Sequence, residues 1–254
     1  MSIFNKILAS VGVGAATVDT KLERSTYRAG EQISGVIEIR GGNTAQQIDA
    51  IYLTVTTTYT KEANDSKYET TAILKKIKVN EAFTVRENEA HTIPFSFVLP
   101  PETPVTMGKT KVWIQTGLDI KNAVDPTDKD FIDVQPSALA KNIIQAVEHL
   151  GFYLRKVDCE SAPMRFRQAQ PFLQEFEFTP TSGTYRQRLD ELEVTFLQQS
   201  ENQVELLLQV DRRARGLGGL LSEALDMDES HVRLTIYAQD NIVAKIQQTI
   251  DRHL

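Results

Sequence analysis

With 254 residues, a formal net charge of −6 and one cysteine, the chain is long enough for one large domain or two ordinary ones. It can bury about 70% of its unfolded surface without disulfides or a metal. The acidic balance argues against a broad nucleic-acid footprint, a single cysteine forbids an intrachain disulfide, and no apolar run approaches the roughly 20 residues that span a bilayer.

The first residues, MSIFNKILASVGVGAATV, carry one lysine, an apolar stretch and then small residues, the outline of a short secretory signal. Ser10, Gly12 and Gly14 dilute the apolar part, and the basic part is weak. Over residues 2–11 the spacing predicts a short amphipathic helix instead. Ile3 stacks with Ile7 and Phe4 with Leu8, Val11 continues the face, and Asn5 and Lys6 lie on the polar side. A helix of about ten residues must dock onto something. The expectation is the chain's own sheets or a second copy, hence a possible homodimer. Membrane contact is the lesser reading, because one lysine gives little pull towards anionic lipid.

From there to about residue 135 the pattern alternates. QISGVIEIR (32–40) puts Ile33, Gly35, Ile37 and Ile39 on one face, and AIYLTVTTTY (50–59) is dense in β-branched and aromatic residues. TIPFSFVLP (92–100) aligns Ile93, Phe95, Phe97 and Leu99, and KTKVWIQTGLDI (109–120) brings Val112, Ile114 and Trp113. The turn signals RAGE, RGGN, ANDS, RENE and PPETP separate these runs. Short punctuated strands with no intervening helical pattern predict an antiparallel sandwich. Pro94 suits an edge strand or the start of one.

Near 135 the period changes. After Pro136, Leu139, Ile143, Ala146, Val147 and Leu150 recur at three and four, with Ser137 placed to cap and Gly151 to stop. This predicts a helix near 138–150 and a boundary just before it, dividing the chain into 1–135 and 136–254. Strands resume at QEFEFTP, ELEVTFLQ, QVELLLQVD and HVRLTIYA. A final helix near 242–254 carries Ile242, Val243, Ile246 and Ile250 on one face. The basic residues change too: residues 1–136 hold 11 Lys and 4 Arg, and 137–254 hold 3 Lys and 10 Arg. Arginine's planar fork pairs with carboxylates and tolerates interfaces, so the second half is the better place for interfacial ion pairs.

Chemistry-bearing patterns are few. Cys159 reads as a small buried hydrophobe in a reducing compartment, with no histidine near it in sequence. The four histidines are scattered without ligand spacing. DPTDKD (125–130) lacks the glycine and distal glutamate of a calcium loop. DRRARGLGGLL (211–221) is the densest cluster, with Asp211, Arg212, Arg213 and Arg215 followed by Gly216, Gly218 and Gly219. Strand, glycines, short helix, strand and Asp240 sketch a dinucleotide unit over 211–240. Against it stand Leu221 at the third small position, a helix of about eight residues, and the antiparallel character of the rest. The alternative of a nucleotide- or metal-responsive protein is kept on that stretch. The favoured expectation is a structural joint, with at least one of the three arginines meeting an aspartate of Asp119, Asp125, Asp128 or Asp130 from the first lobe.

Several segments together resemble a known superfamily. YRAGEQISGVIEIRGG (27–42) is similar to the arrestin-like motif Y-x-x-G-E-x-φ-x-G-x-φ, and PFSFVLPPETPVT (94–106) to its P-F-x-F-x-L-P segment. FNKILASVGVGAATVDTKLE (4–23), KVWIQTGLDIKNAVDPTDKDFIDVQP (111–136), FEFTPTSGTYRQRLDELEVTF (176–196) and DRRARGLGG (211–219) resemble, more closely, the bacterial family of stage-zero sporulation-control proteins M. The resemblance covers nearly the whole chain. It implies a mainly β fold of two tandem arrestin-like antiparallel β-sandwiches, no enzymatic activity and no cofactor. It also implies a cytoplasmic regulator or scaffold that controls sporulation or a related programme through protein partners. In arrestins a polar core of charged residues lies between the lobes. The aspartates and arginines named above are the candidates for such a contact.

Overall fold

The structure, a computed structural model, describes residues 15–63, 66–121, 125–164, 170–212 and 229–254. The first lobe contains β1 (Thr17–Leu22), β2 (Thr26–Arg28), β3 (Gln32–Arg40), β4 (Gln46–Ala63), β5 (Ser66–Lys78), β6 (Phe83–Val85), β7 (Ala90–Val98), β8 (Val112–Ile120) and β9 (Thr127–Gln135). Strands β1, β3 and β7 form an antiparallel three-stranded sheet. It faces a larger sheet in which β4 pairs with β5, β6 and β8, and β8 continues to β9 and β2. The alternation in the sequence is the reason: Ile33, Ile37 and Ile39 of β3 and Phe95 and Phe97 of β7 point inwards. They meet Ile51, Leu53 and Val55 of β4 and Ile114 and Leu118 of β8. Gly35 belongs to the same inward row. A Cβ there would press into the Lys21 carbonyl and the Phe95 ring, so the close approach of β1 requires glycine. Pro94 sits in β7, whose one ladder among the described residues is with β3.

The second lobe contains α1 (Ala138–His149), β10 (Phe152–Ser161), β11 (Phe172–Pro180), β12 (Leu189–Gln199), β13 (Gln203–Arg212), β14 (Glu229–Tyr237) and α2 (Ile242–Asp251). The five strands pair antiparallel in chain order. Both helices begin on a side-chain cap: Ser137 Oγ accepts from the Ala140 N–H and Asn241 Oδ1 from the Ala244 N–H. Gly151, at φ 93°, ends α1 with its N–H on the Glu148 carbonyl. Leu139, Ile143 and Val147 of α1 and Ile246 and Ile250 of α2 share one core with Phe176, Phe178, Leu192, Val194, Leu206, Leu208 and Ile236 of the sheet. Among the described residues, the layer facing this sheet is therefore helical. The molecule is mainly β, with a middle and a C-terminal helix, as its periodicity predicts.

The two lobes share a sheet edge. Beyond Thr57, where the ladder with β8 stops, β4 continues and Thr60 pairs in parallel with Glu160 of β10. The expectation of a dinucleotide unit over 211–240 fails on topology. Such a unit needs parallel strands joined by a crossover, whereas β13 and β14 are antiparallel neighbours from Gln203–Tyr237 to Asp211–Glu229. The glycines at 216, 218 and 219 lie outside the described residues.

Candidate functional site: the joint between the lobes

Asp119 and the other candidate aspartates of the first lobe stand on or beside β8 and β9, and Asp211 and Arg212 stand at the end of β13. Asp119 faces Ala50 of β4, about ten residues, or roughly 33 Å of extended strand, from the Thr60 bridge. Asp125 accepts from the Ile120 N–H at 3.0 Å, and Asp128 accepts from the Thr20 and Lys129 N–H groups at 2.8 Å each. These two carboxylates hold backbone of their own lobe. Asp130 lies opposite Ile114 in the β8–β9 ladder. In the second lobe, Asp211 pairs across the sheet with Glu191 and Glu229, and Arg212 ends β13 opposite Leu189. That is the end of β12 remote from Gln199, which approaches Ser137. Arg213 and Arg215, and the helix residues Ile3, Phe4, Ile7, Leu8 and Val11, lie outside the described residues.

Among the described residues, the β7–β8 connection is the part of the first lobe buried in the second. Its residue Val105 is buried in the core of the second lobe, with Met107 packed beside it. Gln174 of β11 fixes it by imitating a strand. Its Nε2 donates to the Val105 carbonyl at 2.7 Å and its Oε1 accepts from the Val105 N–H at 2.8 Å. A side-chain amide has one donor and one acceptor arm at the separation of a peptide pair, so a single residue satisfies both backbone groups of a buried loop position. Gly108, at φ 62°, lies against β10, where a Cβ would come within 2.5 Å of the Val157 carbonyl oxygen. Thr106 ties the loop back to the first lobe, donating to Asp133 at 2.6 Å and accepting from the Val134 N–H at 2.9 Å.

Around this loop a small apolar cluster closes the seam. Tyr59 of β4 and Phe172 of β11 place their ring centroids 5.5 Å apart, with Ala72 and Cys159 completing the group. Lys67 and Glu160 approach to 3.6 Å on its rim. An exposed pair of that kind contributes about 0–1 kcal/mol, so the buried loop and ring contacts dominate the joint.

The chemistry available here is structural. Burial pushes the Cys159 thiol up to about 12, only partly offset by its contact with the Thr110 hydroxyl at 3.6 Å. A thiol so far from its thiolate is not a nucleophile near neutrality. Among the described residues no group of three or more His, Cys, Asp or Glu side chains is gathered as a metal site, and no helix is long and apolar enough to cross a membrane. On the outer face of the second sheet, burial raises the pKa of Glu175, and Glu160 and Asp158 add to that while Lys156 and Lys67 oppose it. The joint residues carry no sequence signature. A lone Gln in a strand and a Val in a proline-rich loop are ordinary until the fold sets them side by side.

Comparison with known proteins agrees over most of the chain. The family model described as SpoOM protein, Spo0M, matches residues 4–214. The sporulation-control protein spo0M of Bacillus subtilis (strain 168) is 45% identical over 234 residues, covering 92% of this chain and 90% of that protein. The crystal structure of Spo0M from Bacillus subtilis superposes with a TM-score of 0.84 at 40% identity, covering 95% of this chain and all of that one (100%). On these matches the chain belongs to the Spo0M family of sporulation-control proteins.

Proposed function

We propose that the chain is a non-catalytic, cytoplasmic regulator of sporulation, or of a related differentiation programme, that works through protein partners. The observation that carries this reading is the likeness to a protein named for sporulation control, 45% identical across 92% of the chain. A joint made of a buried loop, an amide clamp and stacked rings supports a scaffold role, because it holds two lobes in one orientation and so presents their outer faces as a fixed surface. The inert Cys159 fits the same picture. Nucleic acid is an unsuitable partner for a chain of net charge −6.

Complementation tests the reading. In a Bacillus subtilis strain lacking its own sporulation-control protein, this chain restores spore counts to the parental level. Affinity capture from that cytosol then recovers a reproducible set of proteins, lost when the outer faces are altered. Normal accumulation of the chain with no recovery of sporulation overturns the regulatory reading. Recovery of sporulation with no protein captured overturns the partner mechanism alone.

A further inference from the structure

The outer face of the first lobe's larger sheet is basic and aromatic, in a chain whose net charge is −6. Leu53 and Val55 of β4, Ile114 of β8 and Ile132 of β9 point into the core, so their neighbours along each strand point out. Across β5, β4, β8 and β9 these outward positions fall in rows. Ile73, Thr56, Trp113 and Phe131 make one row, and Lys76, Thr54, Gln115 and Lys129 the next. Lys78, Tyr52, Gly117 and Thr127 make the third. All three lysines are exposed, and none of these positions is acidic. With strands about 4.8 Å apart and alternate residues about 6.8 Å apart, the rows cover a field roughly 14 Å on a side. Two of the ammonium groups lean over rings. Lys76 Nζ lies 4.0 Å from the centroid of Tyr52, and Lys129 Nζ lies 3.7 Å from that of Trp113. A ring face holds an exposed ammonium weakly, so both charges stay available to an incoming carboxylate. Beside them Ile73 is 60% and Phe131 55% exposed, and the Phe131 ring packs at 5.9 Å on that of Trp113. The face thus sets a lysine row against an apolar row.

We propose that this face docks an acidic protein segment, its carboxylates on Lys76 and Lys129 and an apolar side chain against Ile73, Trp113 and Phe131. This deepens, and rests on, the reading that the chain works through protein partners. Charge complementarity sets the sign of the partner, and aromatic residues are the usual centre of such contacts. Two shallow apolar side chains give a bilayer little to hold, and nucleic acid meets the repulsion of the whole acidic chain.

Trp113 is the only tryptophan of the chain, so its fluorescence reports on this face alone. The probe is a short capped peptide of Glu and Asp that carries Phe, and its control is the same peptide with Gln and Asn in place of the acids. The acidic peptide changes Trp113 emission saturably, the effect weakens as salt is raised, and the control peptide does little. Lys76→Glu with Lys129→Glu weakens binding by about tenfold or more, the scale of two exposed ion pairs. Lys141→Glu, an equal change of charge on the exposed side of α1, leaves it in place. Should the double variant fail to fold, amide chemical-shift mapping on the unaltered chain replaces it, with shifts concentrated at residues 52–56, 73–78, 113–117 and 127–131. No saturable change, equal binding of the control peptide, unchanged affinity in the double variant or an equal loss in Lys141→Glu each overturn the proposal. So does tighter binding of phosphatidylglycerol vesicles or of polyuridylate, or a Trp113 response traced by sedimentation to pairing of two copies of the chain. Complementation separates this proposal from the regulatory reading. Peptide binding by a chain that restores no sporulation removes the regulatory role and leaves the face. Full sporulation with the double variant, once it has lost the peptide, overturns the face alone.

Discussion

Gln174 shows how much one side chain can hold. Both arms of its amide close on Val105, at 2.7 and 2.8 Å, and both partner groups are backbone atoms with no ladder to fall back on. Gln174→Ala leaves them unpaired in a part-buried place and is expected to cost about 1–3 kcal/mol. Chemical denaturation measures the loss, and limited proteolysis should find new cleavage within residues 99–111. Glu175, the next residue, acts in the opposite sense. Its folded pKa lies above the ordinary 4.5 because burial penalises the charged form. Below about pH 4.5 the carboxyl is protonated folded or unfolded, so nothing is lost. As pH rises through the folded pKa, the carboxylate must ionise in a desolvated, acid-flanked place, and stability falls. Glu175→Gln is therefore stabilising at pH 7 and neutral at pH 4, read as urea midpoints at the two pH values. Cys159, with its thiol pushed up to about 12, is expected to react with a disulfide reagent at pH 7.5 only as fast as the chain opens. Labelling faster than global unfolding would show that the Tyr59–Phe172 seam breathes.

The elements divide by what stabilises them. Helix α1 has its own signals, with Ser137 before it, Gly151 after it and an apolar stripe between. Its length is close to the limit at which a helix stands alone, so the stripe must find the sheet. Ser137→Ala removes the cap on Ala140 and is expected to cost about 1 kcal/mol. The same change removes the 3.4 Å contact with Gln199, so the loss at this position exceeds that of Asn241→Ala at the start of α2. Paired denaturation curves of the two variants check the order. Strand β4 is different. Its eighteen residues, Gln46–Ala63, serve the first core along most of their length and the second lobe through Tyr59 and Thr60. No local preference distinguishes its two ends; their partners do.

For the whole molecule, the joint predicts cooperative behaviour. Val105 belongs to the core of the lobe it does not come from, and the link between the lobes, Gln135 to Ala138, contains Pro136 and no run of glycine or serine. The chain is expected to unfold in one calorimetric transition, and limited proteolysis should find no early site between 133 and 142. Two separate transitions, or quick release of two stable halves, would show that the lobes are independent. Val105→Ala makes the sharpest comparison. It is expected to destabilise the chain by about 1–2 kcal/mol, the range of a lost aliphatic contact, and to broaden or split the transition.

By itself the sequence determined the elements and their faces. The inward row Ile33, Gly35, Ile37 and Ile39, the stripe of α1 with its cap and stop, and the antiparallel, mainly β character all follow from periods of 2.0 and 3.6 and from local turn chemistry, and those act over a few residues. The family, too, was legible, because its motifs are contiguous. The joint was not. Charge and glycine drew attention to DRRARGLGG, which from residue 213 lies outside the described residues, while the contacts described between the lobes are made by Val105 and Gln174, sixty-nine residues apart, and by Tyr59 and Phe172. None of these is unusual in composition. Pairing across such a separation depends on how two twisted sheets meet and which loop their edges leave room for, and only the tertiary structure decides that.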